Sequence, residues 1–237
     1  MKYLSRSAVI AASGCVALSL MLGKARIRKE AEIPLAAIPA TIPSPELSSA
    51  PALPPPTVAD VRDAVARIYG DTVQAQLPSS PAYVTGDFNG DDSQDLAVLV
   101  RPVPGKLGDL NDAVANWIVE DPELIFVPDP SKKVQKLPPV LPRSRVRAAE
   151  VLLAIVHGLG PQGWRDPAAR QSYLLRNAAG GLMSVRRKED VLALPAATAD
   201  HVQIFGDLIQ SEHVGHPTLL FWTGGHYAWY GKQVFSN

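Results

Sequence analysis

Residues 82–100 read Ala82-Tyr83-Val84-Thr85-Gly86-Asp87-Phe88-Asn89-Gly90-Asp91-Asp92-Ser93-Gln94-Asp95-Leu96-Ala97-Val98-Leu99-Val100. Two runs of β-forming residues flank a polar turn, and that pattern predicts strand–loop–strand. Working outward, Val58, Val61, Val65 and Ile68 fall on one face of a predicted helix, with Thr57 as N-cap and Asp60 at N3. A second helix is expected over 110–118, where Leu110, Ala113, Val114, Trp117 and Ile118 follow helical spacing behind a candidate cap, Asp109. The runs LIFVP, VLLAIV, SYLLRNA, MSVRRK and HVQIF read as strands. The final TLLFWTGGHYAWY reads as a hairpin turning at Thr-Gly-Gly. Strands separated by turns, with two or three helices, predict an α+β domain of mainly antiparallel sheet over residues 57–237. A domain of that length buries an adequate core without disulfides, and the only cysteine is Cys15.

The turn carries the chemistry. Counting Asp87 as position 1, oxygen side chains stand at positions 1, 3, 5 and 9: Asp87, Asn89, Asp91 and Asp95. Calcium takes six to eight hard oxygen ligands, and alternate positions on a tightly curled loop point inward. The backbone carbonyl of Ser93, at position 7, and a water would complete the shell. Gly90 permits the curl. Without a cation, the three carboxylates repel one another. EF-hand loops are a poor match, since they need a bidentate acid at position 12 and helical flanks. Position 12 is Val98.

The segment Gly86-Asp87-Phe88-Asn89-Gly90-Asp91, followed by Asp95-Leu96-Ala97-Val98, resembles the calcium loop of FG-GAP and VCBS repeats, found in integrin α-chain propellers and bacterial surface proteins. The resemblance implies a hairpin between antiparallel strands. It also implies Ca²⁺ held by Asp87, Asn89, Asp91 and Asp95, with the Ser93 carbonyl. Position 6 is Asp92 where the family usually has glycine; aspartate tolerates the left-handed conformation better than most residues. The loop occurs once, whereas a propeller needs about four to eight blades. The resemblance therefore extends to the loop and not to the propeller.

Ahead of the domain, Lys2 and Arg6 precede an apolar run, Ala8–Gly23, expected to be a signal peptide or signal-anchor within residues 1–30. No small-x-small cleavage pattern closes the run, and Lys24, Arg26, Arg28 and Lys29 follow it. Residues 31–56 form a proline-rich linker with eight prolines, read as a semi-rigid spacer. Balanced charge, 23 basic against 23 acidic residues, gives no electrostatic footprint for nucleic acid. Export to the periplasm or cell surface, with membrane attachment through the N-terminal segment only, is the expected location. The expected partner is an envelope protein or glycan.

Other motifs carry less. Gly158-Leu159-Gly160-Pro161-Gln162-Gly163 fits a dinucleotide fingerprint, but Pro161 and Pro167 interrupt the helix such a site requires, so a glycine-rich turn is expected. His213 and His216, with Glu212, have no paired cysteine or H-E-x-x-H context that would indicate zinc. Phe221, Trp222, Tyr227, Trp229 and Tyr230 are expected in a core before a stacking platform. Two functions follow: a calcium-stabilised envelope binding or scaffold protein, or a calcium-dependent envelope hydrolase acting on glycans or peptides. No catalytic residue is identified. Convergent carboxylates in a pocket away from the loop would favour the hydrolase; a solid core under the aromatic hairpin favours the binding module.

Overall fold

A computed structural model describes residues 53–77, 82–128, 131–133, 143–178, 180, 182–193, 202–213 and 215–230. The N-terminal apolar segment and residues 31–52 of the linker lie outside them. Helix α1 (Val58–Tyr69) starts at a reciprocal cap. Thr57 Oγ1 accepts from Asp60 N at 3.2 Å, and the Asp60 carboxylate accepts from Thr57 N at 3.0 Å. The helix ends at Gly70, whose φ of 59° suits a residue without a Cβ.

The described residues form an α+β fold of three α-helices and ten strands in two mostly antiparallel sheets, with no closed barrel or propeller among them. The larger sheet contains β1 (Val73–Ala75), β2 (Tyr83–Gly86), β3 (Asp95–Pro102), β4 (Ile118–Glu120), β5 (Leu152–Val156) and β6 (Ser172–Leu175). Its order is β1-β3-β5-β6-β4, and β2 shares the outer edge of the long β3 with β1. The expected hairpin is present: Tyr83 pairs with Val98 and Gly86 with Asp95, antiparallel. Only β4 runs parallel to its neighbour, β6, among the described strand pairs. The smaller sheet has the order β10-β9-β8-β7, built from β7 (Ser184–Arg186), β8 (Leu208–His213), β9 (His216–Trp222) and β10 (Tyr227–Trp229).

Strand alternation divides the core. On β3 and β5, Leu96, Val98, Val100, Leu152, Ala154 and Val156 pack with Val61, Val65 and Ile68 of α1. Ala97, Leu153 and Ile155 point the other way, into a core with Ile209, Leu220, Trp222, Tyr227 and Trp229 of the smaller sheet. A third cluster covers the outer face of that sheet, where Leu208, Phe221 and Ala228 meet Val191 of α3 (Lys188–Leu192) and Ile204. A strand buried on both faces reads as a continuous apolar run, which is the composition of β5. Tyr69 crosses the first core and donates its hydroxyl to the Tyr173 carbonyl at 3.0 Å. The aromatic hairpin is core: Tyr227 is fully buried, and Trp222 and Trp229 nearly so.

The expected helix over 110–118 is not formed; α2 spans only Leu107–Leu110. Asn111 explains the stop. Its side chain donates to the Val146 carbonyl and accepts from Val146 N, so it serves a tertiary contact in place of a helix interior. Trp117 then donates Nε1 to the Leu110 carbonyl, satisfying one of the helix's terminal acceptors. LIFVP and the described part of HVQIF form no strand, Leu124 ending a turn from Asp121, and the strand expected at 201–205 lies instead at β8. No described helix is long and apolar enough to cross a membrane.

Leu153→Ala should cost about 2–5 kcal/mol, read as a lower urea midpoint at unchanged slope. A midpoint equal to that of the parent protein would mean that the second face of β5 is not packed.

Candidate metal centre

The loop is built by its own side chains. Asp87 Oδ1 accepts from Gly90 N at 2.7 Å and Asp91 N at 3.1 Å, while Oδ2 accepts from Asp92 N at 3.0 Å. The Asn89 amide brackets position 5: Oδ1 accepts from Asp91 N and Nδ2 donates to Asp91 Oδ2 at 2.9 Å. Asp91 Oδ1 accepts from Ser93 N at 2.9 Å. Two residues take positive φ to close the curl, Gly90 at 77° and Asp92 at 64°. Position 6, where the resembling loops usually carry glycine, therefore adopts the left-handed conformation with an aspartate in place.

Asp95 anchors the loop from below. It is fully buried. Its Oδ2 accepts from Phe88 N at 2.7 Å and Asn89 N at 3.2 Å, and its Oδ1 accepts from Gly158 N at 2.6 Å. Two distant segments clasp the outside. Trp164 N donates to the Gln94 carbonyl at 2.7 Å, and a Cβ on Gly158 or Gly163 would fall within 2.5 Å of that oxygen. On the other side Asp207 N donates to the Asp87 carbonyl at 2.6 Å. A Cβ on Gly206 would meet the same oxygen at 2.3 Å, and one on Gly90 would meet the Phe205 carbonyl at 2.3 Å. Gln94, Gly158, Gly206 and Asp207 were not identified from sequence. Gly158, Gly206 and Asp207 each meet the loop across a long sequence separation, and Gln94 is met from one, for which a local motif gives no signal.

The five residues expected at the metal thus share one loop, with Asp87 and Asn89 half-buried, Asp91 exposed, and Ser93 and Asp95 buried. The electrostatics are unfavourable to the carboxylates. Burial raises the Asp95 carboxyl to about 7, opposed by the Gly158 and Phe88 N–H groups and reinforced by Asp87 and Asp91. Burial likewise raises Asp87, against the N–H groups of Asp92, Gly90 and Asp91. No ion pair among the described residues reaches Asp87, Asp91 or Asp95. The donor set is therefore hard oxygen of net negative charge, which fits Ca²⁺. The side-chain oxygens here are turned to backbone N–H groups, and no three His, Cys, Asp or Glu side chains among the described residues are gathered as a metal cage. A carboxylate has about four lone-pair directions, so accepting from the loop leaves acceptor capacity on each.

The other candidates resolve as structure. Gly160–Gln162 forms a single 3-10 turn against Gln94, with no long helix behind it. His213 and His216 pair across the β8–β9 hairpin. A cavity of about 440 Å³ beside α3 is lined by Arg186, Asp190, Gln210, Thr218 and apolar neighbours, with one carboxylate and no convergent pair. His157 is buried, its Nε2 lies 2.7 Å from the Tyr227 hydroxyl, and burial depresses it to about 4, so it is neutral. Glu120 on β4 reaches across to the other sheet. Its Oε1 lies 2.5 Å from His226 Nδ1, and its Oε2 accepts from Tyr227 N at 3.3 Å.

Compared with family models, curated proteins and solved structures, the chain matches none.

Two outcomes are expected. Gly206→Ala should lower the thermal midpoint, because the new methyl has only backbone to displace; an unchanged midpoint would show the clasp to be loose. Burial raises Glu120 above its usual value and His226 opposes that shift. The folded state then holds the Glu120 proton where the unfolded chain has released it, so this group's contribution falls as pH rises through the raised value. Removing His226 raises the carboxyl further. His226→Ala should therefore lower the urea midpoint more at pH 7 than at pH 4. Equal losses at both values would place the effect elsewhere.

Proposed function

We propose that this chain is an exported or membrane-anchored calcium-binding protein of the cell envelope, with a structural ion in the loop Asp87–Asp95 and a binding or scaffold role. One observation carries the reading: oxygen side chains at positions 1, 3, 5 and 9 lie on a curled hairpin loop whose four carboxylates form no ion pair with a described residue. Asp87, Asn89, Asp91 and Asp95, with the Ser93 carbonyl, would hold the ion. Bound there, Ca²⁺ supplies positive charge that offsets their repulsion and the burial of Asp95. The left-handed Asp92 and the antiparallel flanks also agree with an FG-GAP or VCBS type of loop.

A scaffold is favoured over a hydrolase because the aromatic hairpin is packed as core and the cavity beside α3 holds one carboxylate. The partner proposed is an envelope protein or glycan, and the N-terminal apolar run is proposed as the export signal or anchor.

Isothermal calorimetry should find one Ca²⁺ per chain, and calcium at a hundredfold excess over Kd should stabilise the fold by about 2.7 kcal/mol relative to chelator. Asp91→Ala should weaken binding at least about tenfold, the loss of about 1.4 kcal/mol of coordination. Absence of heat in the parent protein, or unchanged affinity in the variant, would remove the assignment.

A further inference from the structure

We propose that the surface between Tyr83 and Arg165 is a seat for extended proline-rich chain, occupied by the protein's own residues Leu53–Pro56. Proline has no N–H, so its carbonyl is the one strong hydrogen-bonding group it offers a partner. Both flanking carbonyls are taken. Pro54 O accepts from Arg165 Nη2 at 2.8 Å, and Pro56 O accepts from the Tyr83 hydroxyl at 3.1 Å. Leu53, Pro54 and Pro55 each precede a proline, which disfavours the helical region for all three and favours an extended, polyproline II course. Such a segment arrives pre-ordered, so docking costs little conformational entropy. Aromatic residues and side-chain donors to carbonyls are the means by which proline-rich segments are recognised.

The seat is pre-formed on its receiving side. Trp164 is 1% exposed. The Arg165 guanidinium stacks on its ring at 4.3 Å. Gln94 Oε1 accepts from both Trp164 Nε1 at 3.1 Å and Arg165 Nη1 at 3.0 Å. Arg165 is thus held by a ring below and an amide beside it, leaving Nη2 for the Pro54 carbonyl. Tyr83 opens β2 and Gln94 lies at position 8 of the loop, so the two sides of the seat flank the loop's hairpin. Recognition of carbonyls and backbone course selects conformation over side-chain sequence. The spacer then leaves the domain from a fixed point. The inference does not depend on whether the loop binds calcium, since every contact in the seat is a protein–protein one.

Electron paramagnetic resonance of the full chain tests it, with a nitroxide on Leu53→Cys in a Cys15→Ser background. The parent spectrum should show an immobilised component. Tyr83→Phe with Arg165→Ala should convert it to a mobile one, its correlation time shortened at least about threefold into the fast nanosecond range. A second variant avoids any damage to the domain: Pro55→Gly with Pro56→Gly keeps the carbonyls, removes the pre-ordering, and should mobilise the label equally. A mobile label in the parent overturns the proposal. So does a label that stays immobilised in both variants while circular dichroism reports an intact fold.

Discussion

The Asp95 carboxylate is the constraint around which the described structure is arranged. It is the first residue of β3, fully buried, and accepts three backbone N–H groups from two places in the chain. Phe88 and Asn89 belong to the loop's start, and Gly158 follows β5. One side chain therefore fixes the curl of the loop, the start of the hairpin register and the end of the neighbouring strand. A buried carboxylate left unpaired costs several kcal/mol, and charge-assisted bonds to N–H groups offset that cost. Desolvation still outweighs them, which is why the carboxyl sits near 7 and not below 4. The site is held by geometry and remains short of positive charge.

That anchoring lies beside the core that the two sheets share. Phe88, next to Asp87, is fully buried and packs with Ala97, Leu153, Trp222 and Tyr227. Asp207, whose N–H holds the Asp87 carbonyl, stands one residue before β8 of the smaller sheet. The loop thus touches the larger sheet through Asp95 and the smaller one through Phe88 and Asp87. Glu120 makes a second polar link at another edge, from β4 to β10. Apolar burial supplies most of the driving force between the sheets. The polar links fix how they meet, because an unsatisfied group in either would be costly.

Much of this was legible locally. The α1 cap, the 83–100 hairpin and the aromatic ending each depend on residues within a few positions of one another, so periodicity and turn chemistry read them correctly. The failures share a cause. Residues 110–118 have helical spacing, yet Asn111 is committed to Val146 across 35 positions. Strand β8 was displaced because LIQSEH mixes apolar and polar residues, and only pairing with β7 and β9 establishes it. For the site, the oxygen positions and the left-handed position 6 were visible in sequence. The clasp was not: Gly158, Gly206 and Asp207 lie between 63 and 120 residues from the loop atoms they meet.

The clasp also explains how the loop holds its shape. A hairpin loop with four carboxylates and two positive-φ residues has little reason to hold its shape alone, since the charges repel and the backbone costs are local. Here a glycine-lined turn closes on Gln94 from one side and Phe205–Asp207 closes on Asp87 and Gly90 from the other. Both contacts are backbone to backbone at van der Waals limit, where any side chain would intrude. Glycine at 158, 163 and 206 is therefore a requirement of the loop as much as of its own segments. The fold supplies this confinement from parts far apart in sequence. It leaves the acidic face, with Asp91 exposed, open to solvent.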